Sequence, residues 1–256
     1  YYLSGTDQDA HLWVPADGAP LLMVRKSIER ARQDSALRQI APLNNLKDLP
    51  ELIRQHHGAI PRRIGLEMDI LPAKLYLAYH RLFPDAELMD ISPLIRAVRM
   101  IKSNYEISCI KRAAKMADDL FEAIPGFLEE TETENDLAVK AEAFYRTKGH
   151  PGFVRTRTFN MECYYGQIMS GKSSAMPSAS PGPTGGIGFG PFYSQGGGLE
   201  KIRENDPIIV DYAANVEGYI ADQARIFSLG PLADKLYRAP NVMLEIQEPI
   251  AEKALP

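Results

Sequence analysis

The sequence predicts a chain of two parts, an α/β domain over residues 1–95 followed by an α+β domain over 96–256. Three observations carry this reading. Short apolar runs alternate with helical stretches over about the first ninety residues, the pattern of an α/β domain. Near Ser92 the alternation gives way to two long amphipathic helices. Beyond Phe153 the chain turns to strands, which end in a hairpin at 206–230 carrying two aspartates on one face.

Taken in order, residues 1–5 read as the end of a strand. Residues 10–14 and 20–24 are extended runs flanking Pro15-Ala16-Asp17-Gly18, residues that suit a turn. Residues 27–37 and 46–56 have helical spacing, and 64–67 is a short strand. Residues 72–83 form a helix with proline in its first turn, where the missing N–H is no loss. Residues 87–91 are another strand and 93–100 a short amphipathic helix. Ser103-Asn104-Tyr105-Glu106 matches a capping box, in which two side chains satisfy each other's backbone N–H. After it Ile107, Ile110, Ala114, Ala117, Phe121 and Ile124 recur at helical spacing. Thr133 caps a second helix with Leu137, Ala138, Ala141 and Phe144 on its apolar face, and Lys148-Gly149 stops it. Residues 177–198 hold four prolines and eight glycines in 22 positions, and a loop this long is functional or disordered. No element is read after the hairpin.

Composition narrows the class. Apolar content of 45% and charged content of 24% describe a soluble globular protein with ample core. A net charge of −4 gives no reason to expect a nucleic acid or a membrane surface as partner. No apolar run approaches the ~20 residues that span a bilayer. Cys109 and Cys163 are too few for a disulfide framework, so a reducing cytoplasm is expected. Cys163, with no histidine near it in sequence, reads as a small core residue. Further chain is expected on both sides of residues 1–256.

The hairpin carries the chemistry. Asn215-Val216-Glu217-Gly218 reads as its turn. With the turn centred between Val216 and Glu217, Asp211 and Asp222 become direct cross-strand partners, roughly 5 Å apart. Ile209 and Ala213 share the face of Asp211, and Ile220, Ala224 and Ile226 that of Asp222. Two carboxylates on an apolar face repel, and one divalent cation or a pair relieves them. Spacing alone leaves a second reading open, an ordinary hairpin with one aspartate at a strand end facing water. Gly166-Gln167-Ile168-Met169-Ser170-Gly171-Lys172-Ser173 matches the phosphate-loop pattern. That mechanism needs a helix after Lys172. Pro177, Pro181 and Pro183 forbid more than one helical turn, so the match is read as chance. His56 and His57 read as a solvated helix end, His80 as a surface or satisfied core residue, and His150 as structural.

Asp211 and Asp222, set in D-Y-A-A-N-V-E-G-Y-I-A-D-Q-A-R-I-F, resemble the metal-binding hairpin of the pita-bread metallopeptidases. That family includes Xaa-Pro aminopeptidases, prolidases, methionine aminopeptidases and the non-metal creatinases. Arg99-Met100-Ile101-Lys102-Ser103 with Glu106 and Ile110-Lys111-Arg112-Ala113 resembles the helix that opens the catalytic domain in two-domain members. Tyr2-Leu3-Ser4-Gly5 resembles a strand motif of their N-terminal domain. The resemblance implies a creatinase-like domain over 1–95 and the first part of a pita-bread domain over 96–256. It implies Asp211 as a bidentate ligand of one metal and Asp222 as a bridge between two, Mn²⁺, Co²⁺ or Zn²⁺. A metal-bridging hydroxide would then attack the scissile carbonyl of a peptide with proline in second position. The family's remaining ligands, a histidine and two glutamates, come from strands further along, so residues 1–256 alone are expected to be inactive. A homodimer is also implied.

Two departures stand out. Where the family has a histidine after its glycine-serine stretch, this chain reads Ser174-Ala175-Met176-Pro177-Ser178, placing Ser178 there. Serine can donate a hydrogen bond but cannot carry a positive charge near neutral pH. The threonine of the family's T-R-x-F is Ala224, which removes a hydroxyl expected near Asp222. Two rival functions follow: a creatinase-like hydrolase, opposed by the retention of both aspartates, and a homologue that binds peptides or a partner without cleaving them.

Overall fold

In the first hundred residues, short extended runs and helices build two small sheets over a shared apolar core. The structure is a computed structural model and describes residues 1–157, 164–178 and 185–254. Strand β1 (Ala10–Trp13) pairs antiparallel with β2 (Leu21–Val24). Helix α1 (Ile28–Asp34) then leads to β3 (Gln39–Pro42), parallel to β2. Strand β2 is central and covered on both faces. Leu21 and Met23 enter one core cluster and Leu22 and Val24 another, which is why it reads as an unbroken apolar run.

Helix α2 (Leu49–His57), β4 (Arg63–Leu66), α3 (Ala73–Leu82) and β5 (Glu87–Asp90) follow, with β4 and β5 parallel. Ile53, Ile64, Tyr79 and Phe83 join Leu21 and Met23 in the larger cluster. Residues 1–5 are a turn rather than a strand end. The Gly5 N–H folds back to the Tyr1 carbonyl at 2.8 Å, a bond that an extended segment cannot make.

Helix α4 (Ser92–Met100) is tied back to this unit. Arg96 reaches the Asp69 carboxylate at 2.9 Å, and the Ile91 N–H donates to Leu66. The chain accordingly divides into units Tyr1–Ile101 and Lys102–Pro256, whereas the sequence reading drew its boundary at about residue 95, inside α4.

The second unit opens with α5 (Asn104–Leu128), started by the expected capping box: Ser103 Oγ accepts from the Glu106 N–H, and Glu106 from the Ser103 N–H at 2.7 Å. Its buried stripe is Cys109, Ala113, Ala117, Leu120, Ile124 and Leu128. Ile107 lies outside that stripe and is exposed, because the small residues mark the line of closest approach to the sheet. Helix α6 (Glu134–Thr147) is capped by Thr133.

Strands β6 (Gly166–Ser170), β7 (Ile208–Val216) and β8 (Tyr219–Phe227) form one antiparallel sheet in that order. Ile208, Val210, Tyr212 and Ala214 point from β7 into the core shared with α5 and α6. Strand β6 and the single 3₁₀ turn Ser173–Ala175 occupy the phosphate-loop match, and no helix starts at Lys172 to cradle a phosphate.

Helix α7 (Asp234–Lys253) was not legible in the sequence, since Pro240 and Pro249 lie inside it and obscure the helical period. Among the described residues, no helix is long and apolar enough to cross a membrane. Cys109 is buried and free, while Cys163 lies outside the described residues.

Candidate metal centre

The turn of the β7–β8 hairpin sets the geometry. Glu217 and Gly218 both have positive φ, 55° and 83°, the signature of a two-residue type I′ loop. Asn215 braces it: its Oδ1 accepts from the Gly218 N–H at 3.0 Å, and its Nδ2 donates to the Phe153 carbonyl at 3.0 Å. The loop is therefore centred one residue later than the sequence reading placed it. That shift corrects the register. Asp211 faces Ala224, and Asp222 faces Ala213.

The two aspartates are thus diagonal rather than direct partners. They still share a face, because Asp211 and Ala213 are two residues apart on one strand and Asp222 opposes Ala213. Diagonal neighbours lie about 7–8 Å apart at Cα. That spacing leaves room for a cation between the carboxylates, where direct opposition would press the two charges together.

Apart from Gln167 and Asn215, the rest of this face is apolar. Ile209 and Ala213 share it on β7, Met169 on β6, and Ala224 and Ile226 on β8. Ile226 is 49% exposed, so the face opposite the helices is open to solvent at this edge among the described residues. Asp211 is half-buried. Desolvation raises its carboxyl above the ordinary range, the charge of Asp222 adds to that rise, and a hydrogen bond from Gln167 opposes it. Gln167 stands directly opposite Asp211 on β6 and donates Nε2–H to Oδ2 at 3.2 Å.

Among the described residues, no third histidine, cysteine, aspartate or glutamate joins the pair. Two carboxylates supply hard oxygen donors of the kind divalent cations take, so they fit part of a metal site.

His150 is structural, as the sequence reading held. Its Nε2 lies 3.2 Å from the Ala213 carbonyl, and its Nδ1 accepts from the Gly152 N–H at 2.9 Å. Those partners select the neutral ring, and burial lowers its pKa. The ring is packed between Tyr145 and Tyr165 and ties the end of α6 to β7 beside the aspartates. His56 and His57 lie in the last turn of α2.

Ser178 lies just after the 3₁₀ turn, with its backbone against Gly185. Ala224 faces Asp211 across the ladder and shares its strand face with Asp222, two residues away, so a hydroxyl there would have neighboured Asp211 as well as Asp222. In the long loop, residues 185–198 fold tightly, with Gly188 donating to Gly196 and Phe189 to Tyr193.

Residues 108–256 match the model of metallopeptidase family M24. The chain belongs to that family. Residues 1–101 match the Creatinase/Prolidase N-terminal domain, so this M24 chain has the creatinase-like first domain and pita-bread second domain its motifs suggested. A Xaa-Pro dipeptidase of Pyrococcus horikoshii is 24% identical over 100% of this chain and 64% of its own length. An uncharacterized peptidase of Bacillus subtilis, YqhT, is 27% identical over 73% of this chain and 46% of its own. The crystal structure of the prolidase from Pyrococcus horikoshii superposes with a TM-score of 0.77 at 22% identity, covering 100% of this chain and 65% of that one. The chain thus spans about half to two thirds of the length of these M24 relatives.

Two polar residues beside the site were missed in the sequence. Gln167 was read only as part of the phosphate-loop match, and nothing short of the strand pairing places it against Asp211. Glu134 is 1% exposed, with Oε1 accepting from the Ser170 N–H at 2.6 Å and Oε2 from the Gly198 N–H at 2.8 Å. It fastens α6, the end of β6 and the glycine loop together.

Proposed function

We propose that this chain is part of a metal-dependent aminopeptidase or dipeptidase that cleaves peptides with proline in second position, and that Asp211 and Asp222 are two of its metal ligands. The observation that carries the reading is the diagonal placement of both carboxylates on one face of the hairpin in an M24 chain. Two of the relatives named above, a Xaa-Pro dipeptidase and a prolidase, support the substrate class. Two carboxylates suit a pair of divalent ions, with Mn²⁺, Co²⁺ and Zn²⁺ as the candidates. Such ions, when bound, supply a Lewis acid for the scissile carbonyl and a nucleophile at neutral pH.

The chain's own residues do the holding. Asp211 and Asp222 present oxygen donors from neighbouring strands, and the apolar neighbours Ile209, Met169 and Ile226 lower the local dielectric around them. The reading extends to a cytoplasmic homodimer, which sedimentation and fractionation check. Ser178 and Ala224 favour a second reading, a homologue that binds peptides without cleaving them.

The test uses the whole protein. About two equivalents of metal per chain and Mn²⁺-dependent hydrolysis of Xaa-Pro peptides support the peptidase. Peptide binding without turnover leaves the binding homologue. No metal and no hydrolysis overturn the proposal. Asp222→Asn is expected to lose at least half of the bound metal with the fold intact by circular dichroism, and unchanged metal content removes Asp222 from the ligand set.

A further inference from the structure

We propose that Gln167 is a positioning residue for the metal site, its side-chain amide holding the Asp211 carboxylate in the orientation that receives a divalent cation. The inference rests on the metal reading of Asp211 and Asp222 given above and deepens it. Two side chains flank Asp211 directly across the ladder: Gln167 from β6 and Ala224 from β8. Ala224 offers only a methyl group. Of this flanking pair only Gln167 can donate, and its Nε2 lies 3.2 Å from Asp211 Oδ2. Without such a bond the carboxylate turns freely about its last torsion among Ile209 and Ala213, and ordering it falls on the binding step.

The chemistry of the donor fits the role. A lysine or arginine would satisfy Asp211 with a full positive charge and compete with the cation for it. A neutral amide engages one lone pair of Oδ2, adds no charge, and leaves Oδ1 and the remaining lone pairs available. Gln167 is itself confined. The glycine loop lies against it so closely that a Cβ on Gly196 would sit 3.4 Å from Gln167 Cβ and 3.6 Å from Oε1. Gly196 is fastened in turn by its N–H to the Gly185 carbonyl at 2.7 Å. The loop at 185–198 thereby limits the rotamers of the side chain that orients Asp211.

The test is Mn²⁺ affinity of the chelator-stripped whole protein, read from the free-ion paramagnetic resonance signal and by calorimetry. Gln167→Met keeps length and packing but removes the donor, and is expected to weaken Mn²⁺ binding about 10–100-fold with the number of bound ions retained. Adding Ala224→Thr to that variant places a hydroxyl opposite Asp211 from the other strand and should restore part of the loss, which a packing role for Gln167 does not predict. Gln167→Val suits a strand and carries no donor; it covers the case in which the methionine variant misfolds. Equal affinity of wild type and Gln167→Met overturns this inference alone. A wild-type protein that takes up no metal overturns the metal reading itself, and this inference with it.

Discussion

Half-burying Asp211 on an apolar strand face raises its carboxyl above 3.8, its ordinary value, through desolvation first and the charge of Asp222 second. The folded protein therefore holds that proton more readily than the unfolded chain, and stability falls as pH rises through the window between the two values. At neutral pH the ionised Asp211 destabilises the metal-free protein. Asp211→Asn, whose Oδ1 can still accept from Gln167, should raise the melting temperature of the metal-free protein while abolishing metal uptake. Calorimetry with and without Mn²⁺ checks both, and a lower melting temperature with uptake intact contradicts the assignment. His150 behaves oppositely. Burial lowers its pKa below 6.5, so its contribution to stability is present above that value and is lost as pH falls through the folded-state value. The stability advantage of wild type over His150→Asn should shrink between pH 7 and pH 5 in urea titrations, and an advantage constant across that range contradicts the neutral-ring account.

At the scale of elements, capping signals were the most legible part of the sequence. Ser103 with Glu106 and Thr133 with Asp136 begin helices where the pattern placed them, because a cap is settled by neighbours within one turn. The hairpin was legible in its strands and its shared face, but its register was not. Glu at a left-handed position is an unusual choice, and a two-residue loop there competes with longer loops on sequence alone. Glu217→Asn should stabilise the protein by about 0.5–1 kcal/mol, since asparagine tolerates the left-handed conformation that glutamate resists. Urea unfolding measures it, and destabilisation would contradict the type I′ geometry. Helix α7 escaped detection for the opposite reason. Its two prolines deny the local pattern, and no described residue of the helix is buried.

At the scale of the whole molecule, a ligand that binds the folded state alone stabilises it by mass action. Mn²⁺ at about 100 times its dissociation constant should add about 2.7 kcal/mol to the unfolding free energy of the whole protein. The shift should disappear with chelator and in Asp222→Asn, and an equal shift in that variant places the ion elsewhere. The sequence by itself determined the class of fold, the two-part organisation, the family and the placement of two aspartates on one face of a hairpin. Each of these follows from short-range pattern: alternation, helical period, caps and a motif that lies within one hairpin. Tertiary structure alone decided that Asp211 and Asp222 are diagonal, that Ala224 neighbours Asp211, and that Gln167, 44 residues earlier in the chain, donates to it. Those relations depend on strand register and on pairing between distant segments. A one-residue difference in the centre of a turn moves every cross-strand partner, and no local preference sets which side chain of β6 will stand opposite Asp211.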